Sequence, residues 1–330
     1  MAEKYSYASI ARELGVSKAL VSSVLRNTSV TTGSSKKTKR QILELAWNNG
    51  LRLNSNIGIV IPREVAQNQI LYYHGLVGVI EKCSAFGYNL TSMIVDEHSA
   101  LPEPLRNHEV SALLFWNDLP EEFAHFAAGE KMPFVLLNPQ GKHPECDAVS
   151  FSDYGTMFKL LRHLYENGYR KFHYLLENNE MSFNCKTSKA FRNFSKQYQI
   201  AASILSPEGN DREAILPQLE KLAEKSDGRT AFITFTRFYT IKILEMLSRA
   251  GKRIPDDAGV VGSHLLSEFY NPSLTTIEYP FYEMGAAGVE MLHEKWDARQ
   301  YVLGREKIIE GRILKKDSTV STNRRNEKHA

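Results

Sequence analysis

The chain has 330 residues, of which 42% are hydrophobic and 24% charged, an ordinary composition for a globular protein long enough to form at least two folding units. No apolar stretch approaches the ~20 residues of a membrane-spanning helix, and the amino terminus lacks the apolar run of a secretory signal. Cys83, Cys146 and Cys185 lie far apart and form neither a CxxC pair nor a metal-ligand pattern. These features argue against membrane and disulfide-scaffold proteins, and they predict a cytoplasmic protein without a metal or cofactor.

The net charge of +3 is unevenly distributed along the chain. Residues 1–56 contain nine Lys or Arg against three Asp or Glu, a net charge of +6, so the remainder carries −3. A basic segment joined to a mildly acidic body is typical of a phosphate-binding head, although a solvated basic surface would look the same. Nucleic acid is therefore the first partner to consider.

Three short amphipathic helices are predicted in this basic segment. The first spans Ser6 to Leu14, with Ser6 as its cap, and Gly15 provides the left-handed backbone of a tight exit. Ser17 can cap a second helix, and a third is predicted from Lys39 to Asn49. The pattern is helix, turn, helix, followed by a third helix that completes a small core.

In a helix-turn-helix head, the second helix enters the major groove while neighbouring groups bind phosphates. We expect the base-reading residues to be Lys18, Ala19 and Ser23. Hydroxyl and cationic side chains suited to phosphate are Ser17, Ser22, Lys36, Lys37, Lys39 and Arg40. Helical hairpins of this kind also occur as purely structural elements, so the pattern alone does not establish DNA binding.

The stretch from Ile10 to Leu25, IARELGVSKALVSSVL, resembles the opening of the LacI/GalR family, V-A-x-x-A-G-V-S-x-x-T-V-S-x-V-L. The resemblance implies a transcription regulator, most simply a repressor, that binds a palindromic operator in double-stranded DNA as a homodimer. Leu20 replaces the family's usual threonine, and Ser23 stands where many members have a base-reading arginine. We therefore expect an operator sequence that differs from those of familiar members.

The family's hinge helix, which inserts leucines into the minor groove, has no counterpart here. Only the segment Gly50 to Asn56 separates the third helix from the apolar run Ile57 to Pro62. Without a wedge, bending and readout of the operator centre are not expected. Arg52 to Asn56 can span at most about 18 Å, so we expect each head to sit close to its own body.

The rest of the chain alternates short apolar strands with amphipathic helices, which predicts parallel sheets. Strands are predicted at Ile57–Pro62, Leu90–Val95, Ala112–Phe115, Phe134–Leu137, Phe172–Leu176, Ala201–Leu205, Ala231–Phe235 and Gly259–Gly262. Helices are predicted at Gly75–Phe86, Gly155–Asn167, Thr187–Gln197, Arg212–Lys225, Tyr239–Ala250 and Phe281–Trp296.

Family-like stretches such as His163 to Lys171 and Leu274 to Gly285 extend the resemblance over nearly the whole chain. They imply an α/β fold: a small all-α head, residues 1–56, and a two-lobed core of the type I periplasmic-binding-protein kind, residues 57–330. Lobe 1 is expected at about 57–152 and 281–310, and lobe 2 at 153–280 and 311–318. The chain would cross between lobes near Asp153, Tyr279 and Gly311, and residues 319–330 would form a polar, solvated tail.

The resemblance places an effector in the cleft between the lobes, but the family's ligand-gripping positions are changed. Thr187 replaces an arginine, Thr236 and Arg237 replace an Asn-Asp pair, and His264 lies where an aspartate is usual. Sugar hydroxyls need such partners, so a simple sugar is not expected. Tyr72 and Trp116, together with the new cations, leave two interpretations open: an anionic or aromatic effector, or a cleft that binds no metabolite.

Other classes of protein are less consistent with the sequence. It has no P-loop, GxGxxG, HExxH or GxSxG motif, and the S-x-x-K pattern of Ser34 and Lys37 lacks companion motifs, so we predict no enzymatic activity. A solute-binding transport protein would share the core but would need a secretion signal and no basic head. A DNA-binding protein that acts constitutively or through a protein partner remains the alternative.

Overall fold

The computed structural model describes residues 6–26, 35–49, 56–67, 69–96, 100–107, 109–118, 120–129, 132–141, 143, 145–177, 182–209, 211–264, 267–298 and 304–320. The chain divides into two compact units, and it passes between them three times. The first unit is Met1–Ser150 with Phe281–Ile308, and the second is Phe151–Pro280 with Ile309–Ala330.

The amino-terminal head consists of three helices, α1 (Tyr7–Leu14), α2 (Lys18–Arg26) and α3 (Lys36–Asn48). Its core is formed by buried apolar residues from all three helices, Ile10, Val21, Leu25, Ile42 and Ala46. These positions recur at three- and four-residue spacing, so each helix turns one apolar stripe inward. The head predicted from sequence periodicity is therefore present.

Local side-chain chemistry sets where these helices begin and end. Ser6 and Ser9 form a reciprocal capping box, and Gly15 ends α1 with φ of 65°. The Ser17 hydroxyl accepts a hydrogen bond from Leu20 N at 3.1 Å at the start of α2. The prediction that α3 begins at Lys39 is wrong by three residues, because Ser35 accepts from Thr38 N at 3.1 Å and caps the helix earlier.

The body continues the strand and helix alternation. In chain order its elements are β1 (Asn56–Pro62), α4 (Arg63–Gln67), α5 (Gln69–Ala85), β2 (Asn89–Val95), α6 (Glu103–Arg106), β3 (Ala112–Trp116), α7 (Glu121–Gly129), β4 (Phe134–Leu137), β5 (Ala148–Phe151), α8 (Asp153–Glu166), β6 (Lys171–Leu175), α9 (Ser182–Gln197), β7 (Ala201–Leu205), α10 (Leu216–Glu224), β8 (Thr230–Thr234), α11 (Arg237–Arg249), β9 (Gly259–Val261), β10 (Thr276–Glu278), α12 (Phe281–Ala298), β11 (Glu306–Ile309) and β12 (Arg312–Leu314).

The first unit contains a six-stranded sheet in the order β11-β5-β4-β3-β1-β2, in which the pairs from β2 to β5 are parallel. On this sheet α5 and α12 pack in very close contact, since a Cβ added at Gly78 would lie 2.1 Å from Tyr282 O. A fully buried ion pair, Lys295 Nζ to Asp147 Oδ2 at 2.6 Å, fixes α12 against the sheet. Lys295 also donates to Phe134 O at 2.8 Å.

The second unit contains a parallel four-stranded sheet in the order β7-β6-β8-β9 and an antiparallel pair of β10 and β12. A 3-10 helix, Asp317–Thr319, ends the described chain. Its Thr319 is buried and bonds to His163 Nε2 at 2.9 Å. Thr319 thus belongs to the body, not to the solvated tail in which the sequence analysis placed it, and residues 321–330 lie outside the described residues.

The predicted fold class is confirmed, and most differences concern short elements. Strands β5, β10, β11 and β12 and helices α4, α6 and α7 were not predicted. Helix α10 begins at Leu216 and not at Arg212, because Pro217 lies in its first turn and has no N–H for an earlier helical hydrogen bond.

Candidate nucleic-acid interface

The first turn of α2 presents the predicted base-reading residues. Lys18 and Ala19 are exposed, while Val21 and Leu25 of the same helix are buried in the head core. Ser23 is half-buried and makes an interaction within the protein. Because the apolar stripe fixes the rotation of α2, Lys18 and Ala19 face solvent, as a groove-reading helix requires.

The predicted phosphate-binding residues lie at the amino-terminal ends of two helices. Ser17 caps α2, but a hydroxyl that accepts from a backbone N–H still has its own O–H to donate. Lys37 and Lys39 are exposed at the start of α3, and Ser22 is half-buried in α2. The Lys36 side chain lies outside the description.

Arg40 differs from the other cations of α3, because its Nε lies 3.0 Å from Glu44 Oε1 in an exposed pair one helical turn apart. Such a pair is worth only a few tenths of a kcal/mol, about 0.3–0.5. A phosphate could therefore displace Glu44 at small cost. The other described cations, Lys37 and Lys39, reinforce the positive end of the α3 dipole, which no acidic side chain in its first turn offsets.

The predicted effector positions of the second unit follow the carboxyl ends of neighbouring strands. Thr236 caps α11 after β8 and accepts from Tyr239 N at 3.5 Å. Arg237 and His264 are exposed, the latter shortly after β9. In parallel sheets this edge is where ligands usually bind.

Two further residues that were predicted to contact the effector are buried and contact neighbours within their own units. Thr187 is fully buried, and its Oγ1 lies 2.9 Å from the buried Tyr174 hydroxyl. Trp116, only 3% exposed, stacks on Phe281 at 6.5 Å between ring centroids. The expectation that Trp116 offers a free aromatic face is therefore wrong, because Gly75 and Phe281 cover the indole. The Tyr72 side chain lies outside the described part of α5.

A charged pair that the sequence analysis missed lies at the start of α8. Asp153 is buried, and burial raises the pKa of its carboxyl group, while Lys186 Nζ at 3.7 Å partly opposes that rise. Burial, followed by the nearby Asp153 charge, raises the pKa of Tyr279 as well. In the sequence, this pair could have been sought at Lys186, because Lys186 directly precedes Thr187, the position at which the family has an arginine.

Neither a metal site nor a membrane-spanning helix is found among the described residues. The described residues contain no group of three or more His, Cys, Asp or Glu side chains able to hold a metal ion. Within the same ranges, every helix is too short or too polar to cross a bilayer.

Known proteins resemble the chain over most of its length. The family model for a periplasmic binding protein-like domain matches residues 161–319. The HTH-type transcriptional repressor PurR of Vibrio vulnificus is 25% identical, over 93% of this chain and 98% of its own. Catabolite control protein A of Priestia megaterium is 22% identical, over 86% and 90%.

Solved structures agree with the fold. The lac repressor dimer bound to operator and an anti-inducer has a TM-score of 0.62 at 16% identity, covering 97% of this chain and all of that one. A LacI family regulator from Enterococcus faecium with bound ribose has a TM-score of 0.63 at 19% identity, covering 80% and 98%. The prediction that the chain is not an enzyme is confirmed, since its relatives are transcriptional repressors. The three-helix head, the α/β body and these relatives together show that the chain is similar to DNA-binding transcriptional regulators of the LacI/GalR family over nearly its whole length.

Proposed function

We propose that this protein is a repressor that binds a palindromic DNA operator as a homodimer in the cytoplasm. The observation that carries the proposal is the exposed first turn of α2 on a head whose core fixes that helix. Lys18, Ala19 and Ser23 read base edges in the major groove, and the hydroxyls of Ser17 and Ser22 bind phosphates beside them.

The cations of α3 supply the second set of phosphate contacts. Lys36, Lys37, Lys39 and Arg40 occupy its first turns, where the backbone N–H groups and the helix dipole also attract an anion. Each phosphate neutralised by such a cation steepens the dependence of affinity on salt. This set positions the head and carries no sequence information of its own.

The connection between head and body distinguishes the proposed mechanism from that of a hinge-helix repressor. Only residues 49–55 separate α3 from β1. The sequence of this segment has no counterpart of the family's hinge helix, so we propose that this protein does not kink the operator centre. Its half-sites are read by the heads alone.

Homodimerisation is supported by resemblance to a dimeric repressor. The lac repressor structure that this chain resembles is described as a dimer on its operator.

For the effector we propose an anionic ligand near Arg237 and His264, two exposed basic side chains beyond β8 and β9. The alternative is a protein that senses no metabolite or responds to a protein partner. The burial of Thr187 against Tyr174 favours the alternative, because that hydroxyl is already used within the unit.

Selection of bound duplexes from a random DNA pool tests the proposal. We expect a palindrome of two short half-sites, with preferences that change in Lys18→Ala and Ser23→Ala. Lys221→Ala, an exposed lysine on α10, is the matched control and should select the same sequence as the wild type. Recovery of unrelated sequences, with binding that depends only on salt, would contradict sequence-specific repression.

A further inference from the structure

A groove runs along the outer edge of the second unit, between α9 and the edge strand β7. Its volume is about 370 Å³, and it lies within one unit. Its lining combines an apolar floor, two hydroxyls and two cations: Phe191, Ile200, Ala202, Ile204, Ser195, Ser203, Arg192 and Lys196. None of these residues belongs to the head or to the predicted effector positions.

The groove exists because β7 carries small side chains next to a helix. Strands usually present β-branched or aromatic residues that fill the space against a helix, but β7 begins Ala201-Ala202-Ser203. Ala202 is exposed and lines the groove.

The two hydroxyls of the groove differ, because the Oγ of Ser203 lies 2.7 Å from His173 Nδ1, whereas that of Ser195 has no such partner among the described residues. Ser195 is 8% exposed, and its buried Oγ has no hydrogen-bond partner among the described residues. A buried hydroxyl without a partner costs about 1–3 kcal/mol, so it is normally satisfied by protein, water or ligand.

The two cations point to the charge of that ligand. Arg192 and Lys196 lie one turn apart on α9, so both line the same side of the groove. Both are exposed, and no described carboxylate lies within 4.0 Å of either. Some other cations of this unit are paired, as Lys171 is with Asp227 at 2.5 Å and Lys316 with Glu268 at 2.7 Å.

We propose that the α9–β7 groove binds a small amphipathic anion, a carboxylate or phosphate ester with a compact aromatic or branched apolar body. The anion lies between Arg192 and Lys196 and accepts a hydrogen bond from Ser195. The apolar body lies on Phe191, Ile200 and Ile204, where the space left by Ala202 admits it. The volume lies at the lower end of the range of small-molecule sites, about 300–1,000 Å³. This site does not depend on the proposed DNA-binding function.

The test uses matched pairs of probes on the full-length protein, with binding followed by ligand-observed NMR and calorimetry. The acids are phenylacetate, 4-methylpentanoate, indole-3-acetate and phenyl phosphate; phenylacetamide, 4-methylpentanamide, indole-3-acetamide and phenol are their neutral counterparts. We expect saturable binding of at least one acid and about ten-fold weaker binding of its neutral partner, a difference of ~1.4 kcal/mol. Failure of every acid to bind saturably overturns the proposal, as does equal binding of both members of each pair.

Variants locate the bound acid. Neutralising both cations, Arg192→Gln with Lys196→Gln, should weaken it about five- to ten-fold, because exposed charges contribute only modestly to binding an anion. Filling the groove with Ala202→Leu should do the same without removing charge. Lys189→Gln is the matched control, since Lys189 is exposed on the same helix but does not line the groove.

Two outcomes of the variant series would overturn the proposal. An equal loss in Lys189→Gln would show attraction to the general charge of α9, and full binding in the groove variants would place the acid elsewhere. Binding of the selected operator duplex is measured in parallel without any probe, and it should be unchanged in all these variants. Loss of operator binding in the wild type would therefore count against the proposed function and not against this site.

Discussion

The head exposes Lys18 and Ala19 on the first turn of α2, whereas the body buries Trp116 and Thr187 at two positions expected to contact an effector. In the head, a five-residue core fixes α2 so that Lys18 and Ala19, two of the predicted base-reading residues, are exposed. In the body, by contrast, Trp116 packs on Phe281 and Thr187 forms a hydrogen bond with Tyr174. The difference suggests that this chain retains the means to bind DNA more fully than the means to bind a familiar effector.

The largest expected effect comes from the core of the head. Leu25 is 1% exposed, and Leu25→Ala should cost about 2–5 kcal/mol. A core in a domain of this size rarely supplies more than about 3–5 kcal/mol, so the head should unfold and operator binding should be lost. Anisotropy with the selected duplex and circular dichroism measure the two effects. Leu222→Ala, at a partly buried position of the second unit, should leave DNA binding intact.

A smaller effect is expected in the body from Thr187→Val, which removes the hydroxyl that faces Tyr174 and keeps the side-chain shape. The buried tyrosine hydroxyl would lose its partner, and the free energy of unfolding should fall by about 1–3 kcal/mol. Tyr174→Phe combined with Thr187→Val should recover much of that loss, because neither polar group then remains. Urea unfolding measures both. An unchanged stability in the single variant would show that Tyr174 does not need the Thr187 hydroxyl as a partner.

Mildly acidic pH should reduce the stability of the body more than that of the head, because residues 1–56 contain no histidine. Burial, with a smaller contribution from Lys171, lowers the pKa of His173 to about 4, and its Nδ1 lies 2.7 Å from Ser203 Oγ. The unfolded chain takes up this proton below a pKa of about 6.5, while the folded body resists it. The stability of the body is therefore complete above about pH 6.5 and falls as the pH decreases toward 4.

The His173→Gln variant should flatten this dependence in urea unfolding followed from pH 7 to about pH 4. His125→Gln removes an exposed histidine of α7 and serves as the control, with a profile like that of the wild type. If both variants keep the wild-type profile, His173 is not the group responsible.

The smallest effect concerns a single phosphate contact. Lys37→Ala should weaken operator binding about equally for all sequences and reduce the slope of log affinity against log salt by about 1. Titrations at several salt concentrations measure the slope, with Lys221→Ala as the control. A change in sequence preference without a change in slope would assign Lys37 to base reading instead.

Local sequence determined the head almost completely. Apolar residues at helical spacing, the capping hydroxyls of Ser6 and Ser17 and the left-handed Gly15 act within one or two turns, so their effects can be predicted from neighbouring residues. The alternation of strands and helices in the body was equally visible. The same local pattern carried the resemblance to the LacI/GalR family.

Tertiary structure decided what depends on residues distant in the chain. Strand β11 pairs beside β5 across more than 150 residues, and Thr319 bonds to His163 from the opposite end of its unit. Short strands of this kind have no periodicity long enough to recognise, because their stability comes from the partner strand. Likewise, Trp116 and Thr187 are interior residues because neighbours such as Phe281 and Tyr174 pack against them. Burial is a property of all the neighbours together, and the sequence alone does not identify those neighbours.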